Sequence, residues 1–158
     1  MSSFRSLAWS SVGKKVITGL TGFMLIGFVM VHLLGNLTLF IPDGGHGFNE
    51  YGHFLEHAIH GWLIYAFEVG LITIFIFHIL AAVTVAWTDK RKARPKGYAM
   101  VRNAGGKSRK GLPSTSMIVT GITLFVFVVL HVKMFKFADH PAVTYDGTTM
   151  KNLYAVVV

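Results

Sequence analysis

Polar and apolar residues in this chain fall into long blocks rather than alternating at a strand or amphipathic-helix period. From about Val16 to Ile41 no charged residue occurs. From about Gly61 to Trp87 the only charged or imidazole side chains are Glu68 and His78, and a third apolar run extends from about Ser116 to Phe137. Each run is about twenty residues or longer, the length a helix needs to cross ~30 Å of hydrocarbon. Pro42-Asp43-Gly44-Gly45 closes the first run with turn chemistry. The stretch from His46 to His60 is polar enough for a connection, yet Phe48, Tyr51, Phe54 and Leu55 suit an amphipathic segment lying at the interface. Residues 88–115 read as a loop rich in Lys, Arg and Gly, and His140 to Lys151 as a second, exterior loop. Leu153–Val158 reads as the first turn or two of another span, cut short. The expected fold is therefore an all-α integral membrane protein. It is a transmembrane helical bundle of three full spans (16–41, 61–87, 116–137) plus the start of a fourth (153–158), in one domain over residues 1–158.

Composition sharpens this picture. The 158 residues are 53% hydrophobic and only 14% charged, with a mean hydropathy of +0.55. A soluble domain of this size needs more charge to cover its surface. The net charge of +8 does not point to nucleic acid, because nine of the fifteen Lys and Arg residues lie between Lys90 and Lys110. Concentrated there, they are a topology signal: loop 88–115 and the N-terminus, with Arg5, Lys14 and Lys15, are expected on the cytoplasmic face. Trp9, Trp62 and Trp87 suit interfacial anchoring, and Lys133 and Lys136 are expected to snorkel to headgroups. Met1–Lys15 is polar and basic and the run after it is too long for a signal-peptide core, so no cleaved leader is expected. Without cysteine, disulfides, iron–sulfur ligation and thiolate zinc sites are excluded.

One phrase occurs twice. Thr21-Gly22 is followed eleven residues after the threonine by His32, and Thr120-Gly121 is followed at the same spacing by His131. Eleven residues is almost three helical turns, so each Thr lies on the face of its His. A histidine in hydrocarbon is costly and marks a functional position by default. His32 lies roughly 25 Å up the first span and His131 roughly 22 Å up the third, whereas His78 lies roughly 14 Å from the cytoplasmic end of the second. The first two share a level and His78 sits deeper. Two facing imidazoles are the axial set of an electron-transferring b-type haem. Gly35, Ala81 and Ala82 are small neighbours that would admit a flat group, and Met24, Met30 and the many Phe residues would wall it. The plainer reading is that each histidine bonds a neighbouring helix or faces a polar cavity. A zinc or di-iron site is disfavoured because the spans hold no carboxylate cluster or Glu-x-x-His pair. His46, His53, His57, His60 and His140 belong to the outer connections. Glu50 and Glu56 lie on that side, where a quinol would need a base. Glu68 reads as an interfacial carboxyl or a proton-relay or quinone-site group. Thr18, Thr21 and Thr120 would bond haem propionates or, more plainly, their own i−4 carbonyls.

Three phrases carry a family resemblance. They are Thr21-Gly22 through His32-Leu33-Leu34-Gly35-Asn36, Tyr65-Ala66-Phe67-Glu68 through His78, and Val119-Thr120-Gly121-Ile122-Thr123-Leu124 through His131-Val132. Together they resemble the dihaem, single-anchor cytochrome b558 subunit of succinate dehydrogenase/fumarate reductase, over nearly the whole chain but without its last two spans. The resemblance implies a distal haem b on His32 and His131 and a proximal haem b on His78. The second proximal ligand belongs to the family's fourth span, which has no counterpart in this sequence. It also implies cytoplasmic flavoprotein and iron–sulfur partner subunits of respiratory complex II and a membrane quinone, usually menaquinone. Dicarboxylate chemistry would lie in the partners. A cytochrome b subunit of a hydrogenase or formate dehydrogenase would share the haems. A haem-free anchor or a proton-conducting protein would use the histidines differently.

Overall fold

The computed structural model describes residues 8–89, 92, 96, 100, 106 and 111–158, excepting the side chains of Asp89 and Ser114. The basic loop expected over 88–115 thus lies largely outside the described residues, as does Arg5. Three long helices dominate. Helix α1 (Ser11–Asn36) runs 26 residues, about 39 Å, and is capped by Ser10, whose hydroxyl accepts from Gly13 N–H at 3.0 Å. It tightens into a 3₁₀ turn over Leu37–Phe40. Helix α2 (His46–His57) is the short amphipathic segment. Helix α3 (Trp62–Val83) continues as a π-helical turn over Thr84–Asp89. Helix α4 (Leu112–Lys136) starts with Pro113 in its first turn, where a missing N–H costs nothing. The chain ends in a hairpin, β1 (Ala142–Tyr145) with β2 (Thr148–Lys151), and a single helical turn, α5 (Tyr154–Val157).

Helices α1, α3 and α4 are each long and apolar enough to cross a membrane. Their side chains make the same point. Among the described residues, Phe48, Ala81 and Met150 are the only buried hydrophobic ones, whereas large apolar groups such as Phe23, Leu34, Phe67 and Leu124 stand open to the surroundings. Water does not tolerate so extensive an apolar surface on a monomer. Lipid does, and inside lipid the helices satisfy their own backbone groups. The chain is a multi-pass membrane protein with a helical transmembrane bundle.

Helix α1 packs along α3, and Ala81 is fully buried in their packing at 0% exposure. Helix α4 stands back and meets the others through side chains: Phe125 stacks on Phe75 with centroids 6.3 Å apart, His131 meets His32, and Lys136 pairs with Glu68. One end of the bundle is capped by α2, the hairpin and α5. The chain enters α2 through Asp43, whose carboxylate accepts from Gly45 N–H at 2.9 Å and Gly47 N–H at 2.8 Å. It leaves through three successive left-handed residues, Ile59, His60 and Gly61 (φ 52°, 54° and 81°), which turn it into α3. Only the glycine adopts that conformation without strain.

The hairpin departs from the plain loop expected over His140–Lys151. Asp146-Gly147 takes positive φ at both positions (48° and 81°), the turn that matches strand twist and favours Asp-Gly. Its register pairs Val143 with Met150 and Thr144 with Thr149. Asn49, only 1% exposed, ties the cap together. Its amide nitrogen donates to Asn152 Oδ1 at 3.2 Å and Tyr145 Oη at 3.4 Å, and its amide oxygen accepts from Tyr154 N–H at 2.9 Å.

Two outcomes follow. Asn49→Ala strands the Tyr154 N–H and should cost about 1–3 kcal/mol, read as earlier proteolysis of the 142–158 segment in micelles. The two backbone donors, Gly47 first, hold the exposed Asp43 carboxyl below its ordinary value of 3.8. Asp43 therefore supports the α2 entry fully above about pH 4 and loses that support as pH falls through its lower folded-state value. Protection of the Gly45 and Gly47 amides, measured relative to the unstructured rate at each pH, should fall on acidification in the native protein and be low at all pH values in Asp43→Ala.

Candidate functional site: histidines between the spans

His32, in the last three turns of α1, faces His131 of α4. Their ring centroids are 5.8 Å apart and the rings cross at 72°. Two metal–imidazole bonds of about 2 Å in line set centroids roughly 6 Å apart. Both ring planes then contain the bond axis and are free to take any angle about it. The separation is therefore one that two rings donating to a single metal ion would have. The standoff of α4 from α1 and α3 leaves that pair as the point where the two helices approach. Phe127 and Phe135, one turn to either side of His131, lie 5.5 and 4.8 Å from its ring, and Phe28 lies 5.5 Å from His32. The pair sits in an aromatic setting.

The Asn36 amide nitrogen, one turn after His32, lies 2.9 Å from its Nδ1. Since amide N and O are interchangeable by a flip, Asn36 is able to accept from Nδ1–H and leave Nε2 as the electron-pair donor. That is the outer-shell contact a ligating histidine usually has.

His78 lies elsewhere. Its Nδ1 is 3.0 Å from Thr21 Oγ1 on α1, and its ring rests on Gly22, where a Cβ would stand 3.2 Å from Cε1. Gly22 precedes His32 by ten residues, about 15 Å along the helix. His78 therefore occupies a second level, well separated from the His32–His131 pair. Among the described residues, no three His, Asp or Glu side chains gather at metal-binding range. The spans offer a facing pair and a single imidazole.

Several sequence expectations meet different surroundings. Gly35, read as room for a flat group, is covered by Tyr51 of α2: a Cβ there would stand 2.6 Å from the Tyr51 Cε1. The glycine serves docking of the interfacial helix. Thr18, Thr21 and Thr120 each donate to their own i−4 carbonyls, at 2.8, 2.7 and 3.2 Å. Thr21 does so while also meeting His78. Gly121 has nothing within 4 Å.

The three singled-out carboxylates do not converge. Glu50 is exposed on α2. Glu68 pairs with Lys136, whose ammonium also lies 5.7 Å from the Tyr65 ring centroid. Lys136 thus turns to a carboxylate of α3 instead of snorkelling away. Glu56 pairs with Lys151 at 2.7 Å. Around that pair, His53, His57, His140, Ala142, Thr149 and Met150 line a cleft of about 340 Å³ between α2 and the hairpin. His53 and His57 stack at 4.0 Å, and His140 Nε2–H donates to Phe135 C=O at 3.1 Å while its Nδ1 is buried without a protein partner. The sequence treated these histidines singly. Their gathering depends on the hairpin, which Asp146-Gly147 between short strand-forming runs would have revealed.

Compared with known protein families, characterised proteins and solved structures, the chain matches none.

The Glu68–Lys136 pair is the polar tie between α3 and α4. A double-mutant cycle with Glu68→Gln and Lys136→Gln, read by unfolding in micelles, should give a coupling of about 0.5–1 kcal/mol. Additive effects would show that the two side chains act independently.

Proposed function

We propose that this chain is a haem b-bearing membrane anchor subunit of a succinate:quinone oxidoreductase, passing electrons between an iron–sulfur partner subunit and membrane quinone. The observation that carries the reading is the meeting of His32 and His131 across α1 and α4 at a separation suited to two axial imidazoles. His78, about 15 Å away along α1, supplies the second level that a dihaem anchor requires. The link to succinate and fumarate rests on the three histidine-bearing phrases that resemble the cytochrome b558 subunit. No residue set for dicarboxylate chemistry is evident in this chain, and that reaction belongs to flavoprotein and iron–sulfur partners on the cytoplasmic side.

In this role each side chain has a definite task. His32 and His131 would hold one haem through ring nitrogens, and the Asn36 carboxamide, turned so that its oxygen accepts from Nδ1–H, would leave Nε2 of His32 free. His78 would hold a second haem through Nε2. Bound haem supplies one-electron transfer between saturated, six-coordinate states. Phe28, Phe127 and Phe135 keep the distal pair in an apolar setting. At the capped end, quinol oxidation needs proton acceptors. The cleft offers Glu56, paired with Lys151, together with His53, His57 and His140. Menaquinone is the expected quinone.

The purified protein should give a b-type α-band in a reduced-minus-oxidised spectrum. His32→Ala and His131→Ala should each remove the same haem signal and His78→Ala a different one. Absence of the band, or loss of one identical signal in all three variants, overturns the reading. Co-purification with a flavoprotein and an iron–sulfur protein separates a complex II anchor from the cytochrome subunit of another membrane oxidoreductase.

A further inference from the structure

The Thr21 hydroxyl has one hydrogen, and the helix has already claimed it. Oγ1 donates to Ile17 C=O at 2.7 Å, with Thr18 C=O at 3.3 Å as a weaker second acceptor. The remaining capacity of the oxygen is acceptance. His78 Nδ1, 3.0 Å away, must then be the donor. In a neutral imidazole one nitrogen carries the proton and the other the lone pair, so a proton held on Nδ1 leaves Nε2 as the electron-pair donor. Gly22 adds the steric half of the seat. With Cε1 3.2 Å and Nδ1 3.7 Å from where a Cβ would stand, the Nδ1–Cε1 edge of the ring lies against Gly22. A larger residue would push it off the threonine.

We propose that Thr21 and Gly22 form an imidazole seat on α1, with Thr21 as the positioning residue that sets the tautomer of His78 and aims its Nε2 away from α1. The chain Ile17 C=O···H–Oγ1(Thr21)···H–Nδ1(His78) polarises in one direction, each acceptance strengthening the next donation. In hydrocarbon no water competes for these groups. The purpose of the free lone pair rests on the haem reading above, whereas the seat itself does not.

The test uses the full-length protein in bilayers, with ¹⁵N-labelled histidine, at a pH well above the ordinary histidine range. The His78 resonances are assigned by their loss in His78→Gln. Without added haem, His78 should carry its proton on Nδ1. Thr21→Ser should preserve that state, Thr21→Val should release it to a mixture of tautomers, and Gly22→Val should do the same with the hydroxyl intact. A proton on Nε2 in the parent protein, or an unchanged tautomer in Thr21→Val, overturns the seat. In the haem-loaded protein, Thr21→Val should weaken occupancy at the His78 level about 10- to 100-fold, shift that haem's midpoint potential and leave the His32–His131 signal unmoved, with Thr21→Ser restoring the parent values. If the α-band is absent yet the tautomer responds as stated, the seat stands and the haem reading falls. If both haem signals move together in Thr21→Val, the residue acts on the bundle as a whole and the positioning role is overturned.

Discussion

A polar hydrogen inside a hydrocarbon layer has to be given to something, and the contact between His78 and Thr21 is one place where this bundle meets that requirement between helices. Most polar side chains in the spans meet it locally. Thr18, Thr73, Thr84, Thr120 and Thr123 all bond the carbonyl one turn back. A histidine has no such local outlet when its ring must reach away from its own helix. His78 therefore needs a neighbour, and the neighbour's approach sets how α1 and α3 are spaced. Gly22 allows that approach and Ala81, one turn after His78, fills the packing beside it. The α1–α3 pair is thus built around one imidazole, and α4 stands back from both.

That difference between a close pair and a detached third helix is what gives the two histidine levels their distinct character. Where α1 and α3 touch, the imidazole is bonded to protein on one nitrogen and free on the other. Where α1 and α4 approach, two imidazoles confront each other, bordered by phenylalanines. Two neutral imidazoles in an apolar layer gain little by facing each other unless one donates to the other or both donate electron pairs to a cation. Asn36, behind His32 with its amide nitrogen 2.9 Å from Nδ1, serves the second arrangement once its carboxamide is turned about.

The spans were legible in the sequence because length and apolarity are properties of contiguous residues, and lipid rewards them directly. His32 and His131 were legible as a pair because helix rise converts residue counts into depth. What could not be read is what depends on one helix meeting another. Thr21 shares a face with His32 by periodicity, but its contact is with a histidine 57 positions later. Gly35 looks like room for a cofactor until Tyr51 of α2 is placed on it. Glu68 had no partner within its own helix, and its counterion lies 68 positions on. The hairpin is a different kind of omission. Asp146-Gly147 carried the local signal, but its strands are four residues each and mostly polar, so they blend into the polarity of a loop.

The repeated phrase takes on a new meaning from this geometry. Its two halves serve different levels: the histidines His32 and His131 meet each other, while the Thr-Gly of the first copy receives a third histidine from α3. If the repeat reflects one structural unit used twice, the Thr-Gly of the second copy is a receiving position as well. Thr120 already spends its hydrogen on Ser116 C=O, as Thr21 does on Ile17, and the space at Gly121 is open. An imidazole placed there would find the same acceptor oxygen and the same absence of a Cβ that His78 finds on α1. The level of His78 would then resemble that of His32 and His131 in placing imidazoles between the same helices.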